Sequence, residues 1–149
     1  MKKISIALTA LTLMAMGAAA PAASAQPAPL PAAPKGAVAA AADGYLYAWD
    51  GFARGGAQCR WQQNDANWDT CSGINMRNRA SSLENRGYAG AYEDVDLFYK
   101  PSWVGSRNCL PNGYYLDNLT GIYFLWDGND GQGQSMNNNI ASHRWTNNC

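Results

Sequence analysis

The 149 residues carry eleven basic and eleven acidic side chains, a single His, four Cys, and six Trp, eight Tyr and three Phe. With no net charge and no basic cluster, the chain lacks the electrostatic footprint of a nucleic-acid or membrane-surface binder. One imidazole and two Glu leave little from which to build an acid–base catalyst.

In chain order, Lys2 and Lys3 precede an apolar stretch from Ile4 to Met16, and Ala23-Ser24-Ala25 offers a small-residue cleavage site before Gln26. Residues 1–25 therefore read as a secretory signal, and the apolar stretch is too short to serve as a membrane span. Residues 26–43 are rich in Ala and Pro and hold no aromatic residue, so they cannot bury enough surface to offset ordering entropy. They read as a flexible leader, in which a helix over residues 37–42 would be short and marginal. Every aromatic residue and every Cys falls in residues 44–149, a normal span for one domain with a single core. Loss of Lys2 and Lys3 with the signal leaves nine basic against eleven acidic side chains, a net of about −2.

Four Cys in a small exported domain predict two disulfides. Spacing favours Cys59–Cys71 and Cys109–Cys149, although four Cys admit three connectivities. Zinc is a poor alternative, because there is no Cys-x-x-Cys pair and only one His.

The domain reads as short strands. Tyr45-Leu46-Tyr47-Ala48-Trp49 and Gln58-Cys59-Arg60-Trp61-Gln62 alternate with period two, and Asp50-Gly51 and Gly55-Gly56 mark turns between them. Residues 94–99 and 121–126 are further apolar or aromatic runs, and residues 127–133 form the plainest turn. One short turn near residues 67–70 is the only helical candidate.

One segment occurs twice. Asn78-Arg79-Ala80-Ser81-Ser82-Leu83-Glu84-Asn85 is echoed by Asn138-Asn139-Ile140-Ala141-Ser142-His143-Arg144-Trp145. Each copy follows an aromatic-then-glycine stretch, from Tyr47 to Gly55 in one half and from Phe98 to Gly105 in the other. A doubled unit of this kind buries its apolar face against its own copy. The order of aromatic corner, glycine turn and later Asn-x-x-Ser-Ser resembles the two Greek-key units of a βγ-crystallin-like domain. The closing Asn138–Trp145 stretch looks like the secreted peptidase-inhibitor family I36 of actinobacteria. The resemblance implies an all-β, disulfide-stapled, βγ-crystallin-like two-Greek-key β-sandwich. It also implies a monomeric, non-enzymatic, secreted inhibitor that occludes a secreted peptidase, a metalloprotease, without partners among nucleic acids or membranes.

Ser142 and His143 are adjacent, so on a strand they point to opposite faces and cannot pair as nucleophile and base. Glu93, Asp94 and Asp96 cluster on one short segment and read as a solvated turn and edge rather than a glycosidase pair. The resemblance implies calcium loops around Asn78, Ser81, Asn137 and Asn138. There Arg77 replaces the first oxygen ligand of one copy and Ala141 lacks the hydroxyl of the other. Neither copy holds a carboxylate, so weak calcium binding or none is expected, and no cofactor. For inhibition, Arg107, Asn108, Cys109, Leu110 and Pro111 form the candidate loop. Cys109 anchors it, Pro111 stiffens it and Leu110 offers an apolar side chain to a thermolysin-like pocket. The alternative is a non-catalytic binding or structural module of the cell envelope. Trp61, Trp68, Trp103, Tyr114 and Tyr115, with nearby amides, would be its platform for carbohydrate or protein. Asn118-Leu119-Thr120 fits a glycosylation acceptor, read as coincidence in a bacterial-looking chain.

Overall fold

The computed structural model describes residues 41–147 and Cys149; the expected signal, residues 1–25, and nearly all of the leader lie outside the described residues. The elements are β1 (Tyr45–Trp49), β2 (Gln58–Trp61), β3 (Ser82–Arg86), β4 (Asp94–Lys100), β5 (Val104–Leu110), β6 (Tyr115–Leu116) and β7 (Ser142–Thr146). A one-turn 3-10 helix, Pro101–Trp103, joins β4 to β5. The strands form two antiparallel sheets, one ordered β2-β1-β3-β6 and the other β5-β4-β7.

The period-two alternation of β1 sends Leu46 and Ala48 into the core and Tyr45, Tyr47 and Trp49 to the outer face. There the guanidinium of Arg60 lies 4.8 Å over the Tyr45 ring and that of Arg86 lies 4.6 Å over Tyr47. Between the sheets, Leu46, Leu83, Val95, Leu97, Leu110 and Phe124 are fully buried, with Trp68, Met76, Met136 and Ile140 closing the ends of the core.

The doubled segment is a doubled structure. The Ser82 hydroxyl donates to Gly51 O (2.7 Å) and accepts from Arg54 N (3.0 Å). The Ser142 hydroxyl likewise donates to Lys100 O (2.7 Å) and accepts from Trp103 N (3.2 Å). Each Ser thereby folds the preceding hairpin back over its sheet, and each hairpin has two consecutive left-handed residues, Ala53–Arg54 and Ser102–Trp103. The two Asn loops meet near the pseudo-dyad: Asn78 N donates to Ile140 O (2.8 Å), and Asn138 N donates to Ala80 O (2.9 Å). Both Asn are left-handed, at φ 56° and 59°, a conformation that Asn tolerates better than most residues.

Each half also lends a segment to the other's sheet. After β2 the chain crosses over, and Asp65 and His143 exchange backbone hydrogen bonds of 3.1 and 2.9 Å. After β5, β6 pairs with β3. The disulfides are Cys59–Cys71 and Cys109–Cys149, the pairing that spacing favours. Closing loops of these sequence separations, 12 and 40 residues, constrains the unfolded chain by about 3 and 4 kcal/mol in the chain-entropy picture.

Two expectations are revised. Residues 121–126 form no regular strand; one bridge joins Tyr123 to Ser135, and the segment leans on β5 through side-chain and backbone bonds. Residues 107–110, expected with Pro111 as an exposed loop, lie in β5, which pairs with β4 from Val95↔Leu110 to Lys100↔Val104.

Candidate functional site

The strand character of β5 removes the first candidate loop. Leu110 is fully buried and Asn108 is buried, Cys109 is bound to Cys149, and Arg107 is ion-paired with Asp96. Of the stretch Arg107, Asn108, Cys109, Leu110 and Pro111, only Pro111 lies outside the strand, where its carbonyl accepts from Tyr114 N (3.2 Å). Leu110 cannot enter an enzyme pocket without emptying the core of this domain.

His143 is sealed. Its Nδ1 accepts from the Trp68 indole N–H at 2.8 Å and its Nε2 donates to Gln63 O at 3.0 Å, which defines the neutral tautomer. Burial drives its pKa from 6.5 to about 3. An imidazole with both nitrogens engaged and no solvent access is a core strut and not a base. Trp68 is fully buried and stacked on Trp61 at 4.5 Å, so this pair is core and not a binding platform.

The acidic cluster divides by position. Asp96 is fully buried between Arg107 and Arg144, contrary to the solvated edge expected of it. Asp94 accepts from Asn112 N (3.0 Å) and Cys149 N (3.2 Å), and Glu93 accepts from Gly90 N (2.6 Å). These carboxylates tie chain segments together.

The Asn loops do not fit a firmly held calcium ion. Asn138 Oδ1 lies 3.4 Å from the Ser81 hydroxyl, and Asn137 Oδ1 is buried without a hydrogen-bond partner among the described residues. The Arg77 guanidinium, at the first position of the other copy, donates to Asn67 Oδ1 (3.3 Å). Calcium takes six to eight oxygens and gains most from carboxylates. Among the described residues no group of three or more His, Cys, Asp or Glu could hold a metal ion.

A braced segment with exposed apolar side chains lies elsewhere, between β6 and β7. Tyr123, Leu125 and Trp126 are exposed around the fully buried Phe124. On one side the backbone is tied by Phe124 N to Gln134 O (3.0 Å) and Gly133 N to Phe124 O (3.1 Å). On the other it hangs on β5: Leu125 N donates to Arg107 O (3.0 Å), the Ser106 hydroxyl to Leu125 O (2.6 Å) and the Asn108 amide to Tyr123 O (2.7 Å). The polar inward residues of β5 thus serve to grip this loop.

The tip beyond it is also fixed. Gly128 N donates to Gln132 Oε1 (3.0 Å), Asn129 N to Asp127 Oδ1 (3.1 Å), and Ser106 N to Asp130 O (2.8 Å). Burial alone would raise the Asp127 carboxyl, but the hydrogen bonds from Asn129 outweigh it and hold the pKa below 3.8. Gly133 sits at φ +67°, and a Cβ there would lie 2.4 Å from the Trp126 ring. The missing side chain lets the indole lie against the turn. In the sequence, the only signal for this site is a Tyr-Phe-Leu-Trp run directly before the plainest turn of the chain.

No protein-family model and no curated protein sequence matches this chain. Solved structures do. The chain is similar to a βγ-crystallin domain structure concerned with the evolution of the eye-lens fold, at 16% identity and TM-score 0.50, over 68% of this chain and 83% of that one. It is also similar to a βγ-crystallin from Ciona intestinalis, at 10% identity and TM-score 0.50, over 69% of this chain and 100% of that one. At these identities the likeness carries the fold: an all-β, βγ-crystallin-like pair of Greek keys.

Proposed function

We propose that this βγ-crystallin-like domain is a secreted inhibitor of a peptidase, a metalloprotease, that acts by stoichiometric occlusion through residues 123–127. The observation that carries the reading is the two-sided bracing of Phe124 and Leu125, directly before the exposed Trp126. β5 already holds the backbone of Leu125 and residues 133–134 hold that of Phe124, so docking in an enzyme cleft immobilises little further chain. The Leu125 and Trp126 side chains are apolar and exposed, Trp126 at 58%, and a Trp anchored on a rigid base is the usual composition of a binding hot spot. Leu125 is the side chain that an apolar-specific peptidase pocket accepts. The metalloprotease class rests on the sequence resemblance of residues 138–145.

The test is titration of thermolysin-like, subtilisin-like and trypsin-like peptidases with the oxidised protein. Stoichiometric inhibition of the thermolysin-like enzyme is expected, with Leu125→Ala or Trp126→Ala each weakening it by a factor of about 30, a hot-spot loss of about 2 kcal/mol. No inhibition of any of the three at molar excess refutes the reading. Unchanged inhibition by both variants refutes the loop.

A further inference from the structure

A second surface lies where β1 begins, β3 ends and residues 62–64 run beside β7. It is a cleft of about 430 Å³, within the size range of small-ligand sites. Three rings line it, Tyr88, Tyr92 and Trp145, together with the side-chain amides of Gln62, Gln63 and Asn64. No lining residue carries a charge.

Most aromatic rings of this domain are wholly or largely buried, yet Tyr88 and Tyr92 are 65% and 64% exposed, and both face this one cleft. Each is placed by a specific backbone feature. The Tyr88 ring lies against Gly44, where a Cβ would come within 2.7 Å of it. Tyr92 adopts the left-handed conformation at φ 60°, which is costly for a bulky residue, and its N–H is held by the Asn147 side chain. Backbone strain that positions an exposed ring over a cleft stabilises nothing in the core, and it points to use at that cleft. Asn64 Oδ1 accepts from Trp145 N (2.8 Å), which fixes the floor of the cleft. Gln62 and Gln63 are exposed and line the cleft, where their side-chain amides can meet a ligand.

We propose that this cleft binds a neutral oligosaccharide. A sugar ring has an apolar C–H face, which stacks on Tyr and Trp rings, and a rim of hydroxyls, which pair with amides and phenol hydroxyls. The uncharged wall disfavours anionic or cationic ligands, which would lose hydration without gaining a counter-charge. The volume suits roughly two or three sugar rings. The site shares no residue with the loop at 123–127, so it stands or falls independently of peptidase inhibition.

The experiment titrates the oxidised full chain with chitotetraose, cellotetraose and mannotetraose. Tryptophan fluorescence and amide NMR shifts of Gln62, Gln63 and Tyr92 are followed. A saturable shift with at least one sugar and a midpoint below about 1 mM is expected. Tyr92→Gly relieves the left-handed strain and removes only an exposed ring, so it should preserve or raise stability while weakening binding about tenfold. Tyr88→Ala should weaken binding similarly without altering the unfolding midpoint. No saturable change at about 5 mM of any sugar overturns the proposal. So does binding that survives both variants.

Discussion

His143 gives the sharpest test of how this core is built. The matching residue of the first repeat is Leu83, so His143→Leu exchanges one copy's solution for the other's. In the folded protein the imidazole is neutral, and burial has lowered its pKa from 6.5 to about 3. Above pH 6.5 neither the folded nor the unfolded chain binds a proton there, and stability is unaffected. As pH falls below 6.5 the unfolded chain takes up a proton that the folded chain refuses, so stability is lost with falling pH. The loss is about 2 kcal/mol by pH 5 and about 4 kcal/mol by pH 3. His143→Leu removes this titration but leaves the Trp68 indole N–H and the Gln63 carbonyl without partners, a cost of about 1–3 kcal/mol at neutral pH. The variant should therefore be the less stable at pH 7.5, and the gap should close by about 2 kcal/mol on going to pH 5. Urea unfolding followed by tryptophan fluorescence at four pH values between 7.5 and 4.5 measures both curves, and the carboxylates common to both proteins cancel in the difference. Parallel curves across that range would refute the sealed, neutral imidazole.

Three further outcomes are expected. Asp96→Ala removes the carboxylate between Arg107 and Arg144; because both guanidinium groups are partly exposed and can rehydrate, the loss should be about 2 kcal/mol in a urea titration. The double substitution Cys109→Ser with Cys149→Ser releases a 40-residue constraint and should cost about 4 kcal/mol, read as a lowered Tm without change in far-UV circular dichroism at 20 °C. Calcium at about 1 mM should raise Tm by less than 1 °C, because the Asn loops offer neutral oxygens alone; a rise of 5 °C or more would show that these loops form a competent site.

The sequence revealed the parts of this fold whose residues are fixed by backbone geometry. Ser82 and Ser142 each hold two backbone groups of a folded hairpin, and Asn78 and Asn138 each occupy a left-handed position, so chemistry keeps these residues recognisable in both copies. β5 was illegible because its inward residues Ser106 and Asn108 are polar; they face the backbone of residues 123–125, a partner that no local pattern announces. β6 has two residues, too few for any periodicity. Aromatic residues were visible by type but not by exposure: Trp61 and Trp68 pack in or against the core, while the accessible rings Tyr88, Tyr92 and Trp126 sit outside the strands. Their placement follows from Gly44, Gly133 and Asn147, which act across the fold.

The exchange of segments between the sheets has a consequence for damage. Residues 88–92, in the segment that joins the two halves, are exposed and are an evident point of attack for a peptidase. A cut there would not release either half. The amino-terminal piece would keep residues 63–65 against β7, the carboxy-terminal piece would keep β6 against β3, and each piece would retain its own cystine. The nicked protein should run as one particle on gel filtration and as two bands only after denaturation, so a broken chain would still be a whole molecule.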